Sequence, residues 1–251
     1  MTIVVNPTHQ DLTDELDSIE TAFVSAEVTL QDARNHIKRT TIGGYDIVIK
    51  SFKRLGAIRG FIYRFVRKSK ARRAYEYAQT LLELGFVTPY PIAFIERKSL
   101  LGITTSFFVC SHHEHDFEIR HVFENDIENR DEILRQFVKF SFDLHNAGVL
   151  HLDHSPGNTL VTKTSDNGYN FALIDINRMQ FRPLSIAERL ENLSRLTEDQ
   201  TLIRKFATEY AELADLDSEF CFETIKNAAL KRFKALESRR ALKRKLGLKR
   251  S

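Results

Sequence analysis

A chain of 251 residues with 42% hydrophobic residues, 19 Phe and a formal net charge of +3 can bury a sizeable core, which excludes an intrinsically disordered chain. Its two cysteines, Cys110 and Cys221, are far apart and belong to no partner motif, so neither a disulfide framework nor a zinc site is expected and a reducing cytoplasm is. The N-terminus has no basic stretch leading into an apolar core, and no apolar run approaches bilayer-spanning length; the expectation is a protein neither exported by a signal nor integral to a membrane.

Residues 1–26 read as an irregular or partly helical lead-in. Residues 27–112 then read as a small lobe. Glu27–Leu30 and Ile37–Ile42 are predicted strands, and Gly43-Gly44 turns the chain into a third, Tyr45–Lys50, whose alternation delivers a lysine. A helix is predicted over 69–85, carrying Glu76 and stopping near Gly85; Pro89 and Pro91 introduce a fourth strand, and Thr104–Cys110 is a fifth. From 113 to 225 the pattern turns helical. Ile133, Leu134, Phe137, Phe140 and Leu144 repeat at helical spacing over Arg130–Ala147, and Gly148 is the expected stop. Leu160–Thr162 and Phe171–Asp175 read as a hairpin around Ser165–Gly168, followed by helices near 185–196, 198–213 and 218–246. Residues 226–251 form a basic helix or tail with eleven Lys/Arg against Glu237 alone, so residues 1–225 carry −7 of the total. A second basic block, Ile47 to Tyr75, holds ten Lys/Arg and no acid, and both blocks imply an anionic partner or surface.

The segment His151-Leu152-Asp153-His154-Ser155-Pro156-Gly157-Asn158, followed by an apolar strand ending at Asp175, carries the chemistry. Phosphoryl transfer from a nucleotide needs a carboxylate to orient an acceptor hydroxyl and oxygen ligands to hold magnesium. Asp153 suits the first task; Asn158 and Asp175 suit the second, with Pro156-Gly157 supplying the turn between them. Each of these residues alone could merely cap a turn or end a strand. Upstream, in the right chain order, stand Lys50 on its strand and Glu76 on its helix, and an ammonium held by a carboxylate is a fixed cation for nucleotide phosphates.

This order of parts resembles the protein-kinase-like superfamily: strand lysine, helix glutamate, an H-x-D-x-x-x-x-N loop and a metal-binding aspartate. More narrowly it resembles the bacterial lipopolysaccharide core kinase family, on Lys70–Glu76, Leu84–Pro91, Leu144–Asp153 and Ile174–Arg178. The resemblance implies a two-lobed α+β fold with a small antiparallel-sheet lobe containing one main helix, a mostly helical second lobe, and the nucleotide in the cleft. It further implies Mg-ATP as donor and a hydroxyl of an inner-core sugar, 3-deoxy-octulosonic acid (Kdo) or heptose, as acceptor, at the cytoplasmic membrane face. Lys50, held by Glu76, would orient the phosphates, Asn158 and Asp175 would bind magnesium, and Asp153 would accept the proton. The strand through Phe107–Cys110 would lead to the interlobe hinge, making Cys110 and His112 the contacts for adenine, through backbone hydrogen bonds rather than a metal site built from His112, His113 and His115.

The departures are informative. Residues 31–36 lack the glycines of a phosphate-covering loop, which leaves Arg34 or backbone amides for that role. Leu152 stands where a protein kinase has its catalytic-loop arginine, Ile176-Asn177 replaces Phe-Gly after Asp175, and no long activation segment follows. Protein substrates dock on that segment, so the expected acceptor is small or a glycolipid. Lys53, Arg54, Arg59, Arg64, Arg67 and Lys68 would repel cationic acceptors and attract phosphorylated or carboxylated sugars. The aromatic-basic run Phe61–Lys68 either rests on an anionic membrane surface or packs its rings into the small lobe. Arg178 either binds an acceptor phosphate or pairs with an acid. Nucleic acid is not an expected partner, for want of any recognised motif. The alternatives are a kinase for another small molecule or a protein, and a pseudokinase scaffold.

Overall fold

Strict alternation along Tyr45–Phe52 puts Ile47 and Ile49, both fully buried, on one face of a strand, with Asp46, Val48 and Lys50 on the other. This strand is an inner member of a six-stranded antiparallel sheet. Its strands are β1 (Thr2–Val5), β2 (Val28–Asp32), β3 (Asn35–Ile42), β4 (Tyr45–Phe52), β5 (Pro91–Ser99) and β6 (Gly102–Ser111), in the spatial order β1-β5-β6-β4-β3-β2. The computed structural model describes residues 1–32, 35–52, 68–99, 102–166 and 168–245. They divide into two units: Met1–Glu114 with Asp175–Asn177, and His115–Ile174 with Arg178–Ser251.

The lead-in is structured. β1 adds to the sheet edge against β5, pairing Thr2 with Glu96 through Val5 with Ala93. A 3₁₀ segment and helices α1 (Thr13–Asp17) and α2 (Ile19–Ser25) follow. They place Leu12, Leu16 and Ile19 in one core with Ile47, Ile49, Ile95, Phe107 and Val109. The sheet therefore has an apolar face covered by the first 25 residues. No short-range periodicity revealed this, because the three leucine and isoleucine anchors sit on separate short helical pieces.

The other face meets α3 (Lys70–Glu83). Ser69 caps it by accepting from the Arg72 amide, and its buried stripe Ala71, Ala74, Tyr75, Ala78 and Leu81 follows the helical period. Tyr75 stacks obliquely on Phe94 of β5, centroids 5.4 Å apart. Gly85 ends the helix at φ +83°, and the Phe86 amide bonds the Leu81 carbonyl at 2.8 Å.

In the second unit, α5 (Arg130–Asn146) runs through the core, with α4 (Ile119–Glu124), α6 (Ile186–Leu193), α7 (Gln200–Ala214) and α8 (Ser218–Lys245). Phe137, Phe206 and Tyr210 are its largest fully buried side chains. Two small sheets accompany them: β7 (Phe117–Glu118), β9 (Thr159–Lys163) and β10 (Tyr169–Leu173), and β8 (Val149–His151) with β11 (Met179–Phe181). α8 buries Cys221, Phe222, Ile225 and Ala229 and then turns exposed, with Leu230, Phe233 and Leu242 in solvent among its cations. None of the described helices is long and apolar enough to cross a membrane.

Candidate active site

In the first unit, β4 carries Lys50 opposite Phe108, beside the facing pair Val48 and Cys110. Its ammonium is 2.5 Å from Asp175 Oδ1, a residue 125 positions along the chain. Asn177 donates to the same oxygen at 2.6 Å. Asp175 is held at φ +53°, the left-handed region that a non-glycine residue occupies at a cost of about 1–3 kcal/mol and that recurs at functional sites. Its side chain is one-third exposed while that of Lys50 is mostly buried, so the cation is presented from a protected stem.

Glu76 does not hold Lys50. It takes Lys68 at 2.7 Å and Arg72 at 2.9 Å. Arg72 lies one helical turn before Glu76 on the same face of α3, and the Lys68 side chain closes on it from the chain just ahead of the helix. Burial pushes the Glu76 carboxyl up, but the two cations outweigh it and the net shift is downward. The expected lysine–glutamate pair is thus replaced by Lys50–Asp175, and Glu76 orders the start of α3.

At the expected hinge, the His112 amide donates to the Asp46 carbonyl at 2.9 Å. Cys110 lies inside the sheet between Val48 and Pro91, and burial pushes its thiol up to about 12. The His112 ring is part of a charged cluster. Arg39 grips Asp46 at 2.6 Å and reaches Glu114 at 3.3 Å, while His112 Nδ1 lies 3.1 Å from Glu114 without the alignment of a hydrogen bond. Asp46, His112 and Glu114 bring ligand atoms within 4.8 Å of one another, but the Arg39 guanidinium already engages both acids. Arg34, Lys53, Arg54, Arg59, Arg64 and Arg67, with most of the aromatic-basic run, lie outside the described residues.

In the second unit, α5 delivers the chain through Gly148 and β8 into the loop of Asp153. Gly148 has φ +74°, and a Cβ there would meet the Arg182 carbonyl oxygen at 2.7 Å, so the position demands glycine. The Asn158 side-chain amide donates to the Asp153 carbonyl at 2.7 Å, which leaves its amide oxygen as the end for a cation. The loop is fastened from below by His151, whose Nδ1 accepts from the Asp153 amide at 3.0 Å and whose Nε2 bonds the Ile174 carbonyl at 3.2 Å. One neutral tautomer, protonated at Nε2, satisfies both bonds.

A further buried chain of polar side chains fixes this loop to the helices. Asn192 of α6 donates to the His151 carbonyl at 2.9 Å and accepts from His145 Nε2 at 3.2 Å; His145 Nδ1 meets the Tyr210 hydroxyl at 2.9 Å. Burial lowers His145 to about 4, so the ring is neutral and its single tautomer completes the chain. Arg178, the residue left open between an anion and an acid, pairs with an acid: its Nη1 is 3.0 Å from Asp153 Oδ2.

The family model described as the lipopolysaccharide kinase (Kdo/WaaP) family matches residues 58–216, more than half of the chain. A search of curated protein sequences finds no match. The structure of WaaP in complex with acyl carrier protein is similar in fold, with a TM-score of 0.62 at 20% identity, covering 92% of this chain and 99% of that one. The Rio2 kinase–ADP/Mg2+–phosphoaspartate complex from Chaetomium thermophilum is more distant. Its TM-score is 0.50 at 12% identity, covering 88% of this chain and 75% of that one.

Proposed function

This chain belongs to the lipopolysaccharide kinase (Kdo/WaaP) family, phosphotransferases that act on a hydroxyl acceptor, and on that premise we propose its donor, its acceptor and its residue roles. The donor is Mg-ATP. The acceptor is a hydroxyl of an inner-core sugar, Kdo or heptose, on a glycolipid at the cytoplasmic membrane face. The observation that carries the nucleotide reading is the Lys50–Asp175 pair: a cation for phosphate oxygens and a carboxylate for a metal, 125 residues apart, held 2.5 Å from each other.

Asp175 in the first unit and Asn158 in the second each offer a hard oxygen donor, the ligand type magnesium takes, and each side chain is held by its own hydrogen bond. Magnesium, when bound, neutralises the charge that develops on the transferred phosphoryl group. Lys50 binds phosphate oxygens. Asp153 orients the acceptor hydroxyl and accepts its proton as the oxygen bonds to the γ-phosphorus and ADP departs. Most of the acceleration then comes from positioning and electrostatics, which a loop tied down at His151, Asn158 and Asn192 supports. The eleven cations after residue 225 support an anionic membrane surface as the place of work.

The test is phosphate transfer from radiolabelled ATP with magnesium to Kdo-bearing lipid A, heptosylated core, soluble sugars and generic protein. The wild type should label a glycolipid, and Asp153→Asn should lower turnover roughly 10²–10⁴-fold while keeping its thermal transition. Full activity in the variant would remove Asp153 as the base. ATP binding by the wild type without transfer to any acceptor would favour a scaffold.

A further inference from the structure

We propose that Arg178 is the specificity-determining residue for an anionic acceptor, exchanging its guanidinium between Asp153 and a carboxylate or phosphate on the acceptor sugar. The inference rests on the reading of Asp153 as the group that meets the acceptor hydroxyl. A guanidinium 3.0 Å from that carboxylate stands where the substituents of the same sugar must lie.

Three observations carry it. First, the base of Arg178 is fixed: its carbonyl accepts the Leu152 amide at 2.9 Å, and the next residue, Met179, pairs with His151 across β11 and β8. Its head, by contrast, is half in solvent, with 53% of the Arg178 side chain and 40% of the Asp153 side chain exposed. An ion pair exposed to this degree is weak and exchanges partners at little cost, unlike a buried pair. Second, only one guanidinium nitrogen engages Asp153, and a planar guanidinium has further N–H donors suited to a two-point grip on carboxylate or phosphate. Third, a second guanidinium, from α4, lies against the same loop. A Cβ at Gly157 would fall 2.1 Å from Arg120 Nη2, so the glycine lets Arg120 lie against the backbone just before Asn158. Arg120 is itself exposed, with Glu118 no closer than 3.8 Å. Each of the two half-exposed arginines at the acceptor loop is only loosely engaged by a single carboxylate, Asp153 or Glu118, and so has guanidinium N–H donors to offer an acceptor anion that a neutral sugar would not need.

The chemistry follows from the exchange. In the free protein Arg178 engages Asp153. An acceptor bearing an anion draws Arg178 to itself, which both anchors the sugar and frees the Asp153 oxygen to take the hydroxyl proton.

The experiment measures kcat/KM of the wild type and of Arg178→Gln and Arg178→Lys with three acceptors: a sugar-acid glycolipid, its carboxamide, and a neutral sugar bearing a phosphate ester. Wild type should prefer an anionic acceptor over the carboxamide, and Arg178→Gln should shrink that preference at least tenfold, mainly through KM. Arg178→Lys should restore part of it. The acceptor that loses its advantage, carboxylate or phosphate ester, identifies the anion read. Equal losses on anionic and carboxamide acceptors would overturn the inference and leave Arg178 as a positioning partner of Asp153. Absence of transfer by the wild type to all three would count against the kinase reading itself, before Arg178 is in question.

Discussion

Gly85 and Gly148 each follow a helix at positive φ, and the sequence marks both as stops, but their surroundings separate them. Around Gly85 there is open space, so Gly85→Ala meets only the backbone cost of the left-handed region, about 1 kcal/mol. At Gly148 the added methyl also strikes the Arg182 carbonyl, whose own residue donates back to the Gly148 carbonyl at 2.8 Å. Gly148→Ala should therefore shift the denaturant midpoint well beyond the Gly85→Ala shift, by about 2 kcal/mol or more in stability. Equal shifts would mean that β8 and β11 move apart without strain. Residue types told where these turns must be; only the folded neighbours told which one is intolerant. The same holds for Lys50 and Glu76. Both were legible as charged partners of a phosphate site, yet a helical neighbour, Arg72, and nearby Lys68 claim Glu76, and Asp175 claims Lys50.

At the scale of elements, the polar chain Tyr210–His145–Asn192–His151 joins α7, α5, α6 and the loop of Asp153. Asn192 is 3% exposed, so truncating it strands a carbonyl acceptor and an imidazole donor without water. Asn192→Ala should cost about 1–3 kcal/mol by chemical denaturation and lower kcat with little change in KM for ATP. A stability loss with unaltered kcat would show that the loop keeps its geometry without this anchor. Periodicity found α5 and Gly148 because both signals are local. It was silent on Asn192, since a buried asparagine on an amphipathic helix looks like one more surface residue until its partners, 41 and 47 positions away, are in place.

For the whole molecule, the buried histidines set a pH dependence. His145 is lowered to about 4 by burial, and His154, fully buried, is lowered well below its ordinary value for the same reason. The unfolded chain binds these protons near pH 6.5 and the folded one does not. Their contribution is thus fully present above about 6.5 and is lost as pH falls through 4. For His145 alone this corresponds to on the order of 3 kcal/mol. The thermal transition should fall between pH 6.5 and 4.5. Carboxylates such as Glu188, held down to about 2 chiefly by Arg182, add their own loss mainly below pH 4.5, as the unfolded chain takes up their protons. A flat transition temperature across it would mean that the histidines admit water.

The sequence by itself determined the protein-kinase-like α+β class, the lysine-bearing strand, the loop from His151 to Asn158 and the strand that leads to Asp175, though that strand stops at Leu173. Each rests on residue type and short spacing, which steric and turn preferences convert directly into local structure. Only the tertiary structure decided that the first 25 residues cover one face of the sheet, that Lys50 pairs with Asp175 and Glu76 with Arg72, that the His112 amide donates to Asp46, and that Arg178 lies on Asp153. Apart from Glu76 and Arg72, one helical turn apart, these are choices made by proximity between groups distant along the chain, where many equivalent partners compete and sequence distance carries no preference.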